Sequence, residues 1–237
     1  MANSLAIETS SPVLSIALKT EGGGICEAKL VGFHQHAENI LPMIGRLLKQ
    51  KRVTIHDIDA FLIGIGPGSF TGLRVGFSTL KGFLSLAKKP CFGALSLDMI
   101  AGHITLPEGS ELAVCLDAKR ERIYSRFYRY EARQWKPLTK AGVYTVPDLM
   151  AELPEKVVIA GDAIARYGDE ILRRAKPGQR EFLPESLWYP RAATLTGWFE
   201  EQNAKLHKLE KPKDFSPLYF RLSEAEERRR ERKLCCR

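Results

Sequence analysis

An almost unbroken apolar run, IDAFLI at 58–63, passes straight into GIGPGSFTGLRVG at 64–76. A strand that is apolar at nearly every position, not at alternate ones, has both faces buried. That is the mark of a parallel strand covered by helices on either side. The next segment carries Leu73, Phe77, Leu80 and Leu84 at helical spacing, which predicts a helix from about Thr71 to Lys88. The junction alone therefore demands an α/β fold. It also poses a question, because five glycines and a proline crowd into its thirteen residues.

Three uses of those glycines are open. A phosphate cradle is one, but the G-x-x-x-x-G-K-[ST] loop fails because Leu73 and Arg74 follow Gly72. The G-x-G-x-x-G fingerprint fails as well, since Thr71 fills its third glycine position. A helix N-terminus with bare amides could still hold an anion. The other two uses concern packing. Gly68, Gly72 and Gly76 are four apart and share a helix face. A glycine inside a helix costs about 0.5–1 kcal/mol relative to alanine, so close approach of another backbone is the compensating gain. That backbone belongs either to the chain's own sheet or to a partner. Locally, Pro67 biases Gly66 toward extended geometry, Gly68 can take positive φ, and Ser69 or Thr71 can cap the helix.

The rest of the chain places this junction in a repeated order. SLAIET and VLSIALK read as a hairpin across SSP, and ICEAKLVGF as a third strand. A helix follows from about Glu38 to Lys51, with Ile40, Leu41, Ile44, Leu47 and Leu48 in register. Pro42 predicts either a start near Asn39 or a kink. Met43 widens the apolar spread beyond a single stripe. After the central strand and helix come a strand at PCFGALS and a short helix from about Leu97 to Ala101. From near residue 111 the order recurs without sequence repetition. ELAVCLDA and RIYSRFYRYE form a hairpin, QWKPLTKAGVYTV a third strand, PDLMAEL a short helix, KVVIAG a strand, AIARYGDEILRRA a helix, and AATLTGWFEEQNAKL a long last helix. The expectation is two lobes, 1–104 and 105–237, each a mixed β-sheet of βββαβαβα order covered by helices. The second ends in a charged tail of mixed sign, EAEERRRERKLCCR.

A net charge of +8 favours acidic partners such as nucleic acid or an acidic protein face, or else a basic solvated surface. Five cysteines with no C-x-x-C pair point to a reducing, cytoplasmic setting and to no structural zinc. No signal peptide and no membrane-spanning window are visible. His34 and His36, at i and i+2, invite a metal reading, with capping or exposure the plainer one. In RIYSRFYRY, Tyr124, Arg126, Tyr128 and Tyr130 share a strand face that could stack on RNA bases or simply be amphipathic. No G-x-S-x-G elbow exists, and Ser69 has no recognisable base.

GPGSFTGLRVG resembles the signature of the TsaB/YeaZ family of bacterial tRNA threonylcarbamoyladenosine-biosynthesis proteins. LAIETSSPVLSIAL, HAENILPMI, LDAKRERIY and SPLYFR are similar to further segments of that family. The resemblance implies an actin-like ATPase (ASKHA) fold. It implies a non-catalytic scaffold or activator role beside the larger catalytic paralogue TsaD, which transfers threonylcarbamoyl to the adenosine next to the anticodon in tRNAs reading codons that begin with A. The small ATPase TsaE, tRNA reached through the complex, and self-pairing of the isolated chain are implied too, with no cofactor and no metal. The partner face would be Leu41, Ile44, Leu48, Gly72, Arg74, Gly76, Phe77 and Leu80. Glu8, Thr9, Ser10 and Asp117 stand where relatives place a nucleotide-phosphate turn, and Glu8 with Asp117 could hold magnesium across the cleft. A nucleotide-binding hydrolase or kinase using that cleft is the alternative. The family usually has Asp where Glu8 stands, and the catalytic paralogue reads IETS there. That paralogue, however, carries an H-x-x-x-H metal pair where this chain has Met99 and His103. One imidazole and a thioether make a poor site, which sets the paralogue aside.

Overall fold

The computed structural model describes residues 2–32, 35–202, 204–210, 215–218 and 220. In the first lobe, β1 (Ser4–Glu8), β2 (Val13–Lys19) and β3 (Cys26–Val31) form an antiparallel meander. Then come α1 (His36–Lys51), β4 (Ala60–Gly64), α2 (Phe70–Ala87), β5 (Cys91–Ala94) and α3 (Ser96–Gly102). β4 lies parallel between β1 and β5, and every one of its residues is buried, as its apolar sequence requires. The second lobe has β6 (Glu111–Asp117), β7 (Ile123–Glu131), β8 (Gln134–Pro137), β9 (Gly142–Tyr144), α4 (Val146–Glu152), β10 (Val157–Ala160), α5 (Ile164–Arg174) and β11 (Arg180–Phe182). The chain closes with α6 (Ala192–Glu200) and β12 (His207–Lys208).

Both sheets have the same wiring. The first runs β12-β5-β4-β1-β2-β3 and the second β11-β10-β6-β7-β8. In each, the meander's first strand sits beside the parallel strand that follows the first helix. This duplicated design is the actin-like α/β fold. The third strand expected over QWKPLTKAGVYTV is instead two short strands, β8 and β9, which pair with opposite ends of β7.

Helices cross between the lobes. α3 packs its Leu97, Ile100 and Ala101 into the core of the second sheet. In return α6 lies on β1, β2 and β4 of the first sheet, and β12 extends that sheet's edge against β5. The two sheets stand on either side of residue 104, but α6 and β12, expected with the second lobe, belong to the first. α6 also stops at Glu200, shorter than the predicted long helix. α1 begins at His36, so Pro42 lies within it, not in its first turn.

Each crossing is pinned by a carboxylate. Asp98 of α3 accepts from Arg126 Nη1 on both oxygens at 2.9 Å and from Tyr128 Oη at 2.7 Å. Glu27 of β3 accepts from the Ala193 amide at 3.1 Å and from Arg191 Nη2 at 2.9 Å, at the N-terminus of α6. Burial pushes the Glu27 carboxyl up, but the bonds from Arg191, Ala193 and Ser15 and the charge of Lys29 together hold it below its ordinary 4.5. The tyrosine–arginine face considered for RNA is therefore occupied. Tyr128 is fully buried, Tyr124 nearly so, and Arg126 is committed to Asp98.

Asp98→Ala leaves a buried guanidinium without its carboxylate, and we expect a loss of about 3–5 kcal/mol in urea unfolding. A loss below about 1 kcal/mol would show that the bridge does not secure α3.

Candidate functional site

The glycine stretch meets the chain's own backbone. Ser69 N donates to Ser10 O at 2.6 Å, and Ser69 Oγ caps α2 by accepting from Gly72 N at 3.2 Å. Along the face that follows, a Cβ on Gly68 would strike Ser10 O, one on Gly72 would strike Thr9 O, and one on Gly76 would strike the Thr9 side chain. The turn after β1 thus lies directly on the glycine face of α2. Gly66, expected to be extended, takes φ +97°.

The same turn encloses Glu8. Its Oε1 accepts from Ser10 N at 2.5 Å and its Oε2 from Ser96 Oγ at 3.5 Å. The carboxyl group fills the place where Gly64 lacks a side chain. Glu8 and Thr9 have no exposed surface, and Ser10 has almost none. Burial raises the Glu8 carboxyl above its ordinary value, against the lowering effect of the Ser10 and Ser96 hydrogen bonds. Asp117 lies in the other lobe, where its carboxylate accepts from Lys119 N at 2.7 Å and pairs with Lys119 Nζ at 2.8 Å. Its backbone N–H donates to Asp162, which burial pushes up to about 6. Glu8 and Asp117 thus stand on different lobes, the first enclosed by its own turn and the second paired with Lys119.

Among the described residues no three His, Cys, Asp or Glu side chains cluster as metal ligands. Met99 is fully buried in the core, and His103 turns its Nδ1 to Met99 O at 3.0 Å. Burial pushes the His103 imidazole down to about 4, so it is neutral at physiological pH. His36 is buried with Nε2 at 3.0 Å from Ser11 O, while His34 lies outside the described residues.

The expected partner face divides in two. Ile44, Phe77 and Leu80 are buried in the first-lobe core, and Gly72 and Gly76 are covered by Thr9. These five are interior packing, a correction forced by which side of each helix meets the sheet. Leu41 is 57% exposed, Leu48 is half-buried, and Arg74 is exposed above the Phe70 ring. The residues that complete this outer surface were missed. Gly45 in α1 and Gly82 in α2 would each gain a side chain into open space, and Leu86, one turn past Gly82, is 67% exposed. Mid-helix glycine was the available signal, but the regular 68–72–76 spacing drew the argument to the inner face.

The family model "TsaD: tRNA N6-adenosine threonylcarbamoyltransferase" matches residues 15–183. A Haemophilus influenzae protein, "tRNA threonylcarbamoyladenosine biosynthesis protein TsaB", is 30% identical over 194 residues, 78% of this chain and 81% of that one. The Escherichia coli protein of the same name is 31% identical over 133 residues, 55% of this chain and 57% of that one. The solved structure "YeaZ from Pseudomonas aeruginosa" superposes with a TM-score of 0.75 at 22% identity, over 92% of this chain and all of that one.

Two expectations follow from the geometry. Gly76→Ala should cost about 1–3 kcal/mol through overpacking against Thr9. Gly45→Ala and Gly82→Ala should each stabilise the isolated chain by about 0.5–1 kcal/mol. Thermal unfolding that ranks all three alike would refute the inner and outer assignment. Glu8 supplies a pH test. Its folded value is raised, so its contribution to stability is complete below pH 4.5 and is lost as pH rises through the folded value. Glu8→Gln should gain on the natural chain as pH climbs from 4.5 through the raised folded value, and parallel stability curves would contradict that rise.

Proposed function

The chain belongs to the TsaD tRNA N6-adenosine threonylcarbamoyltransferase family, alongside the TsaB (YeaZ) proteins, and we propose that it serves tRNA threonylcarbamoyladenosine biosynthesis as a non-catalytic cytoplasmic subunit. In this reading it pairs with TsaD and holds that enzyme in its active arrangement. TsaD then transfers threonylcarbamoyl to the adenosine beside the anticodon of tRNAs reading codons that begin with A. The ATPase TsaE joins the assembly, and tRNA is reached through the complex.

One observation carries the proposal. α1 and α2 pack side by side, and each has an outward glycine, Gly45 or Gly82, where an added Cβ would meet nothing within 4 Å among the described residues. These glycines weaken their helices without a compensating contact among the described residues. A second backbone approaching there supplies it, and the exposed Leu41 and Leu86 would be buried with it. The sealed state of Glu8 supports the non-catalytic half, because the carboxylate in the phosphate-turn position is engaged by its own neighbours. A subunit of this kind acts by differential contact, favouring the partner conformation that fits it best.

Leu41→Glu combined with Gly82→Arg should abolish co-elution with TsaD, leave the circular dichroism spectrum of the isolated chain unchanged and not lower its melting temperature. Modification of tRNA by TsaD and TsaE should require the natural chain and fail with the variant. Undiminished co-elution of the double variant would defeat the proposed face. Threonylcarbamoyl transfer without this chain would defeat the scaffold role.

A further inference from the structure

A cavity of about 260 Å³ opens where three segments converge: the end of α3, the β7–β8 hairpin and α6. It lies away from the turn that encloses Glu8. Ser96, the first residue of α3, reaches Glu8, whereas Gly102, the last, borders the cavity. The volume is far above the about 10–15 Å³ that one water needs and just below the roughly 300 Å³ at which sites for drug-sized ligands begin. An occupant is therefore small.

The walls combine aromatic rings with charge of both signs. α6 and its C-cap turn Thr194, Gly197, Trp198 and Glu201 to the cavity, at positions that share one helix face. Gly197 leaves this wall bare, since a Cβ there would meet nothing within 4 Å among the described residues. Thr194 Oγ1 is buried and has no hydrogen-bond partner among them. Tyr130 and Arg133 enter from the hairpin, and Lys205 lies with its Nζ 5.2 Å from the centre of the Trp198 ring. Arg133 and Glu201 line the same cavity with opposite charge, yet among the described residues no ion pair engages either. Their neighbours do pair: in the same hairpin Lys136 meets Glu131 at 3.0 Å.

Charge of both signs decides the ligand. A simple anion would meet Glu201 as a like charge, and a simple cation would meet Arg133 and Lys205 as like charges. A molecule that carries both charges close together satisfies both sides. We propose that this cavity binds a small free α-amino acid, with Arg133 taking the carboxylate, Glu201 the ammonium and Thr194 Oγ1 a polar side chain. The guanidinium fork matches a carboxylate in shape, and both charged contacts are of the strong, charge-assisted kind. The bond to Thr194 satisfies a hydroxyl that is otherwise buried and unpaired. The hairpin belongs to the second sheet and α6 lies on the first, so an amino acid held between them ties the lobes together. The site is separate from the outward face of α1 and α2, and the inference does not depend on the pairing proposed above.

Thermal unfolding of the full chain with each common amino acid at about 10 mM, followed by calorimetric titration of the tightest, tests this. A small polar amino acid such as serine or asparagine should raise the melting temperature. Its amide, which lacks the carboxylate, and its N-acetyl form, which lacks the ammonium, should each bind about tenfold more weakly or worse. Arg133→Gln and Glu201→Gln, both at exposed positions, should each weaken binding about tenfold and leave the ligand-free melting temperature unchanged. Gly197→Leu should fill the cavity and abolish binding without lowering ligand-free stability, because leucine is the better helix former. Thr194→Val should remove the preference for a polar side chain. If no amino acid raises the melting temperature, the inference fails. Equal binding of the amide or the N-acetyl form overturns the doubly charged ligand. Binding that survives Arg133→Gln, Glu201→Gln and Gly197→Leu places the ligand elsewhere and overturns this site.

Discussion

The carbonyl of Thr9 can lie against α2 only because residue 72 has no Cβ, and the Thr9 side chain can settle there only because residue 76 has none. Much of the first lobe follows from that contact. It fixes the turn between β1 and β2, and that turn closes over Glu8. It also sets the rotation of α2. Leu73, Phe77 and Leu80 face inward with the glycines, and Arg74, Ser78, Gly82 and Leu86 are left outside. One close backbone approach thus determines both what closes over Glu8 and what the outer side presents.

The lobes are held by exchange. α3 leaves the first sheet to cover the second, and α6 returns to cover the first. The Asp98 bridge and the Glu27 cap sit where those helices dock, and both carboxylates are almost entirely withdrawn from water. Charged pairs in such places specify geometry, because a displaced partner would leave the other charge buried and uncompensated. The second pin is less deeply placed, since Arg191 keeps partial contact with solvent.

Much of this was legible in the residues. The all-apolar run before the glycines announced β4 as a covered parallel strand, and the strand–helix order announced two lobes of one design. The glycine motif and its companion segments pointed to the family. The candidate site was half legible. Leu41 and Arg74 were placed correctly on the surface. Ile44, Phe77 and Leu80 were not, because periodicity identifies which residues share a face but not which of two faces meets the sheet. Glu8 looked available because the family resemblance implied a nucleotide-phosphate turn at its position. Nothing in the order IETSS reveals that Ser10 and the distant Ser96 would enclose it.

By itself the sequence determined the elements, their repeated order and the bare-backbone surface on α2, since these depend on local periodicity and on the absence of side chains. The tertiary structure alone decided that residues 9 and 10 of the same chain occupy that surface, that α3 and α6 exchange lobes, and that the outward glycines are Gly45 and Gly82. The reason is that these outcomes depend on contacts between residues tens of positions apart, whose burial is settled only when every element has found its place against the others.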